Sequence, residues 1–275
     1  MLTNISLNME TGSFFCDPPP SAKETMPIPR FLDLLTSERY FENIEVDGYN
    51  IHISGPLESS KFVHCALQHI DFTDEYLETV FYGSHLKACR FLNATFNGLR
   101  FIHCRFSGDR YRDTSMFQNS DFRDAEFIGC ELSNIKFDRT ILSRSFFNKC
   151  RLVNCDFTNS QFVRQVSKKI SNSGCSFIEC NLQNSDFSGT ELVNIGFSNS
   201  DLSNANFETC NLSDADFSGA TMVNSKIHRA VLDSADLRLA DIGELSIEDA
   251  DSWQGARISS SQSCLIAKKM GFAIS

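Results

Sequence analysis

Cysteine and histidine are the side chains best suited to chemistry in this sequence, which holds eleven of the first and six of the second. Two histidines sit directly beside a cysteine, at His64–Cys65 and His103–Cys104. A zinc site would call for C-x-x-C pairs or His and Cys at ligand spacing, and neither is present. Neighbours along an extended chain point to opposite sides, so one member of each His–Cys pair faces in and the other out. An odd cysteine count in a chain of 275 residues does not suit a disulfide framework. Met1 to Phe15 lack the basic and continuous apolar regions of a signal peptide. Reduced thiols in a cytoplasmic protein are therefore expected, acting as small apolar fillers. G-x-S-x-G, P-loop, H-E-x-x-H and dinucleotide-binding motifs are all missing, so no enzyme, metal or cofactor is expected.

Contact chemistry is better represented. Asp109, Arg110, Tyr111 and Arg112 lie close together, and Arg164, Lys168 and Lys169 form a second basic group. Arg and Tyr are enriched at binding hot spots, and both groups stand out on a chain of net charge −10. That charge disfavours direct binding of nucleic acid. From 177 to 253 there are fourteen acidic residues against Lys226, Arg229 and Arg238, a local net charge of −11. A rod carrying such charge could imitate a duplex and compete for a basic groove. The absence of any run of about 18 apolar residues argues against a membrane span.

What must position these groups is a repeat of five. Large apolar residues recur at Phe62, Leu67, Phe72 and Leu77, then slip by one residue to Phe81 and continue through Leu86, Phe91, Phe96, Phe101 and Phe106. The series resumes from Phe117 to Phe162 and again from Phe177 to Ile247. Two residues before most of these sits a small side chain, such as Ala205 or Ala215, and nine cysteines from Cys65 to Cys210 fall at that position. Five matches neither the helical period nor the strand period. A coil turning a corner every five residues would send the large and small positions inward, which makes a solenoid. Its interruptions, at 107–116 and 163–174, are expected to be surface loops.

The ends differ from the middle. Residues 1–45 stay outside the repeat, as a partly disordered stretch or a capping helix over Phe31 to Phe41. The repeat spans 46–253, and 254–275 carries a short helix over Gln262 to Met270 with N-caps at Ser259 to Ser261. An apolar cap is a dimer contact in waiting, and Leu265, Ile266, Met270 and Phe272 are its candidate residues.

Segments such as Ala205-Asn206-Phe207, Ala215-Asp216-Phe217 and Ala235-Asp236-Leu237 resemble the A-(D/N)-L/F pattern of the pentapeptide repeat family, over roughly residues 60 to 253. The resemblance implies an all-β, right-handed quadrilateral parallel β-helix with a short C-terminal helix, on the order of 40–45 Å long at a coil spacing of about 4.8 Å. Within that family the chain looks like the Qnr-type quinolone-resistance proteins. The likeness is carried by Ile242-Gly243-Glu244-Leu245-Ser246-Ile247, Gln254-Gly255-Ala256-Arg257-Ile258 and Lys269-Met270-Gly271-Phe272-Ala273-Ile274, by the two interruptions, and by Phe101 to Phe106 leading into Asp109-Arg110. That branch implies a homodimer that mimics DNA, binds DNA gyrase or topoisomerase IV and relieves quinolone poisoning, with both loops required. A polar N-terminus before pentapeptide repeats also suits a secreted bacterial effector or interaction scaffold, the alternative from the sequence.

Overall fold

A computed structural model describes residues 24–53, 57–106, 114–167, 170–172, 174–243 and 249–269. One repeat shows why five residues make a flat step and a corner. The Leu202 carbonyl accepts the Ala205 N–H at 2.9 Å, closing a four-residue turn. Asn204, the third residue of that turn, has φ +60°, the left-handed value of a type II turn. Asp201 fixes the turn from outside by accepting the Ser203 N–H at 3.0 Å. Then Asn206 donates to Ser185 in the coil before, and Phe207 donates to Lys226 in the coil after, at 2.9 and 2.8 Å. Repetition of this unit stacks the chain as parallel strands, in the β-helix that the family resemblance implies.

Asparagine is concentrated at the left-handed corner because its short polar side chain tolerates that backbone best after glycine. Asn134, Asn154, Asn184, Asn204 and Asn224 form one such column, all with positive φ. Asn154 Nδ2 donates to Asn134 Oδ1 at 3.1 Å. Asn204→Val is expected to lower unfolding free energy by about 1–2 kcal/mol, the penalty of a left-handed residue with a branched Cβ. Asn204→Gly should cost less than about 1 kcal/mol. Urea denaturation distinguishes them, and equal losses would mean that the corner conformation is not what the asparagine supplies.

Four interior columns run along the axis. On the first face Phe41, Phe62, Phe81, Phe101, Phe127, Phe147, Phe177, Phe197 and Phe217 stack with ring centroids 4.5–5.5 Å apart. The second face carries Leu86, Phe106, Leu132, Leu152, Leu182, Leu202 and Met222. Phe72, Phe91, Phe117, Phe137, Phe157, Phe187 and Phe207 stack on the third. The fourth begins with Tyr76, Phe96 and Phe122 and continues through Leu142, Phe162, Leu192, Leu212 and Leu232.

The slip in the repeat falls one step earlier than the apolar pattern suggests. Tyr76, not Leu77, takes the inward position: it stacks on Phe96 at 5.0 Å and is only 1% exposed. Its hydroxyl donates to the Ile53 carbonyl at 2.9 Å, which satisfies the polar tip of a buried ring. The strand Ala66–Leu77 shifts register between Phe72 and Asp74, which shortens that step to four residues.

The nine cysteines from Cys65 to Cys210 are all buried at the small inward position. Eight of the sulfurs rest on carbonyls of the preceding coil, as Cys104 does on Phe81 at 3.2 Å and Cys150 on Phe127 at 3.2 Å, and Cys175 meets the Ser145 hydroxyl at 3.5 Å. Burial pushes the Cys89 and Cys175 thiols up to about 12, so they stay protonated at neutral pH. Among the described residues no cluster of His, Cys, Asp or Glu is arranged to hold a metal ion.

Both ends of the stack are covered. Helix α1, Ile28–Ser37, follows Pro27, and its buried Phe31 meets Phe41 edge-on at 5.8 Å. Tyr40–Glu42 then pairs with Lys61–Val63 as the first rung of the first face, so the coils begin inside the stretch assigned to the extension. Helix α2, Ser260–Lys269, starts at a reciprocal cap: the Ser259 N–H donates to Gln262 Oε1 at 2.6 Å, and the Gln262 N–H returns to Ser259 Oγ at 3.4 Å. Gln262, 5% exposed, also donates to the carbonyls of Leu237 and Ala240 at 2.7 and 2.8 Å. The Ala240 carbonyl has no coil above to supply its donor, while that of Leu237 also accepts the Ala240 N–H of its own turn at 3.1 Å. A glutamine thus docks α2 on the rod.

Candidate partner-binding surface

Both interruptions leave from corners. The first separates Phe106, on the second face, from Phe117, on the third, and adds six residues to a five-residue step. The second separates Phe162, on the fourth face, from Phe177, on the first, and adds ten. The two corners are diagonal across the square. The first closes tightly at its base: the Ser115 N–H donates to the Phe106 carbonyl at 2.8 Å, and Ser115 Oγ donates to Leu86 at 2.6 Å. Met116 is already back in strand, paired with Arg90.

The second is not a plain loop. Arg164–Ser167 and Ile170–Asn172 pair antiparallel as a hairpin, set against an otherwise parallel sheet. Val166 and Ile170, β-branched residues either side of Lys168-Lys169, are the signal that could have announced it. Arg164 lies opposite Asn172 at the hairpin base. Asp109, Arg110, Tyr111, Arg112, Lys168 and Lys169 fall outside the described residues.

Charge is unevenly spread along the axis. From 100 to 169 there are thirteen basic and eight acidic residues, a local net charge of +5. Several of these pair between coils or within one, as in Arg144–Asp124, Lys136–Asp156, Arg151–Glu131 and Arg123–Asp121. Beyond residue 177 the carboxylates have few cations to meet. Asp186, Asp201 and Asp216 stand outward, each holding a turn by accepting the N–H of Ser188, Ser203 or Ser218 at 2.9–3.0 Å. Partial burial would raise the Asp216 pKa, but hydrogen bonds from Ser198 and Ser218 outweigh it and hold the carboxyl below its usual range. The acid is thus fixed in place and ionised.

Asp236 is the extreme case. Hydrogen bonds from the Arg238 guanidinium, with Arg257 alongside, lower its pKa to about 2. A carboxylate depressed in the folded state contributes stability above the unfolded value near 4, and loses it as pH falls through its folded pKa. Asp236→Asn is therefore expected to flatten the acid limb of the stability curve between about pH 4 and 2. An unchanged limb in thermal melts across that range would contradict the pairing.

At the C-terminal end several apolar side chains face solvent. Leu239 is 82% exposed, Leu265 54% and Ile258 37%, and Ile266 is half-buried. Met270 and Phe272 fall outside the described residues.

Residues 171–247 match the model of a pentapeptide repeat region, and residues 115–144 match that of pentapeptide repeats in eight copies. The chain is a pentapeptide repeat protein. No curated protein matches this pentapeptide repeat protein by sequence. Among solved structures, it is similar to full-length QnrB1, described as a plasmid-mediated fluoroquinolone resistance protein. The identity is 19% over 85% of this chain and 97% of QnrB1, with a TM-score of 0.62. A second match is HetL, a pentapeptide repeat protein of heterocyst differentiation regulation from the cyanobacterium Nostoc sp. strain PCC 7120. There the identity is 17% over 84% and 94% of the chains, with a TM-score of 0.30. At these identities the QnrB1 likeness speaks for the fold. No helix among the described residues is long and apolar enough to cross a membrane.

Proposed function

We propose that this pentapeptide repeat protein occupies the DNA-binding groove of a type II topoisomerase, DNA gyrase or topoisomerase IV, as a duplex mimic, and so protects the enzyme from quinolones. The charge density of the C-terminal half carries the reading. Residues 177 to 253 hold a net charge of −11 over nearly four coils, so each coil of about 4.8 Å carries about three negative charges. A duplex carries one per about 1.7 Å, again about three per coil height. The carboxylates of Asp186, Asp201 and Asp216 are fixed by their turns, and a rigid charge array suits a groove shaped for phosphates. The fold shared with QnrB1 supports the reading. So does the placement of two excursions with basic residues beside the acidic half.

Displacement of a labelled duplex from purified gyrase tests this directly. Asp186→Asn, Asp201→Asn and Asp216→Asn together keep the turns, because Asn181, Asn206 and Asn211 already accept the same backbone bond. The triple variant should need at least about tenfold more protein for half-displacement, since three charge contacts are lost. No displacement by the wild type, or equal displacement by both, would defeat the proposal.

In this reading the exposed C-terminal patch joins two copies. Leu265→Glu is expected to convert dimers to monomers in light scattering, because a charge would be buried unpaired in the contact. A monomeric wild type would remove the dimer from the account.

A further inference from the structure

Among the described residues, the wall of the rod is open at one place. On the fourth face a ladder of parallel bridges runs Thr95–Asp121–Ile141–Gln161, and another runs Glu191–Asn211–Val231–Ser252. Gln161 and Glu191, consecutive rungs, are not bridged. Elsewhere the equivalent rungs across the same pair of coils are intact: Arg151–Asn181 on the second face, Asp156–Asp186 on the third and Phe147–Phe177 on the first. The regular pattern would have the Phe162 N–H donate to the Glu191 carbonyl, as Leu142 donates to Gln161 and Leu192 to Asn211 at 2.8 Å each. It would also have the Glu191 N–H donate to Ser160, as Asn211 donates to Thr190. Among the described residues neither bond forms.

A cleft of about 650 Å³ occupies the break, lined by Thr158 to Val163 on one lip and Gly189 to Glu191 on the other. The turn on the upper lip has changed too. Asn159 is absent from the left-handed corner positions that Arg139 and Gly189 hold in the coils before and after it. The hairpin leaves the coil at Val163, directly beside the upper lip. The first excursion has no such effect, since Arg105–Glu131 and Thr95–Asp121 remain bridged across it.

Two N–H donors and two carbonyl acceptors thus face one another across a slot, in the register of a missing β-ladder. Unpaired strand-edge groups of this kind are a template for pairing with another chain, and the complement to such an edge is another extended backbone. We infer that the slot between Ser160–Phe162 and Thr190–Glu191 is a binding site for an extended peptide segment of a partner protein, held by main-chain hydrogen bonds to these four groups. The inference is independent of the topoisomerase reading. Main-chain bonding would supply affinity without a fixed sequence, and Glu191, Gln161 and Thr158 at the rims would set side-chain preference, favouring basic or polar residues over acidic ones.

Residue-resolved hydrogen exchange on the full chain tests both halves of the idea. Without ligand, the Phe162 and Glu191 amides should exchange at least about a hundredfold faster than Leu142 and Asn211, which occupy the same positions in closed rungs. Protection equal to those neighbours would mean the wall is closed and would overturn the site. The second arm uses a random dodecapeptide display library panned on the full chain. At least one selected synthetic peptide should slow exchange at Phe162 and Glu191 about tenfold or more, leaving Leu142 and Asn211 unchanged. Binders that protect other regions only, or no binder at all, would overturn the peptide assignment.

Discussion

Phe147→Ala is expected to lower the unfolding free energy by about 3–5 kcal/mol, the usual result of emptying a fully buried aromatic site. Phe147 is 0% exposed and stacks on Phe127 at 4.5 Å and on Phe177 at 4.6 Å, with Phe137 edge-on at 6.4 Å. Removal therefore breaks two links of the first-face phenylalanine stack at once, at the level where the hairpin inserts. A solenoid is held by nearest-neighbour contacts between coils, so the gap cannot be closed by distant rearrangement. Phe147→Leu should restore most of the loss, because leucine already fills the centre of the second face. Guanidinium melts of the three proteins check this. A loss below about 1 kcal/mol for the alanine variant would mean that the column does not bear the fold.

Arg90→Ala should cost about 3 kcal/mol or more, for a different reason. Asp71 is 1% exposed, and the Arg90 guanidinium engages it through Nε at 2.6 Å and through Nη2. Deleting the arginine leaves a buried carboxylate with His52 Nδ1, 3.1 Å away, beside it, and unpaired buried charge is among the most destabilising outcomes of a single substitution. Asp71→Asn combined with Arg90→Ala should recover a substantial part, since the charge goes with its partner. A double-mutant cycle measured by urea unfolding would show a coupling energy well above the ~1 kcal/mol of surface pairs such as Arg144–Asp124. Simple additivity would place Asp71 effectively in water.

Much of this was readable from residue order. The centre positions from Phe81 to Phe217 and the nine small-position cysteines are inside, as a five-residue period with one large and one small inward side chain requires. Apolar identity alone misled at Leu77, because Tyr76 can also be buried once its hydroxyl finds the Ile53 carbonyl. Gln262 was legible as a helix residue but not as the anchor of α2. Its role depends on the Ala240 carbonyl, which loses its donor from a following coil only where the stack ends. The hairpin at Arg164–Asn172 is marked only by the β-branched Val166 and Ile170, because its strands are too short for alternation to show. The break between Gln161 and Glu191 has no sequence signature of its own. It is a missing pair of backbone bonds, and backbone bonding between coils thirty residues apart leaves no mark on residue type. The residues chosen for contact chemistry were identified by position in interruptions, and the structure describes the bases of those excursions rather than their tips.

The most direct test of the topoisomerase reading is DNA supercoiling by purified gyrase in the presence of ciprofloxacin, titrating in this protein. The comparison protein lacks Arg164 to Ser173, which restores the five-residue step from Phe162 to Phe177 and keeps Gly174 at its left-handed corner, φ +57°. The account predicts that the full chain restores supercoiling in a dose-dependent way and that the shortened chain, though folded, does not. No rescue by the full chain at any concentration, with gyrase equally active in its absence, would contradict it.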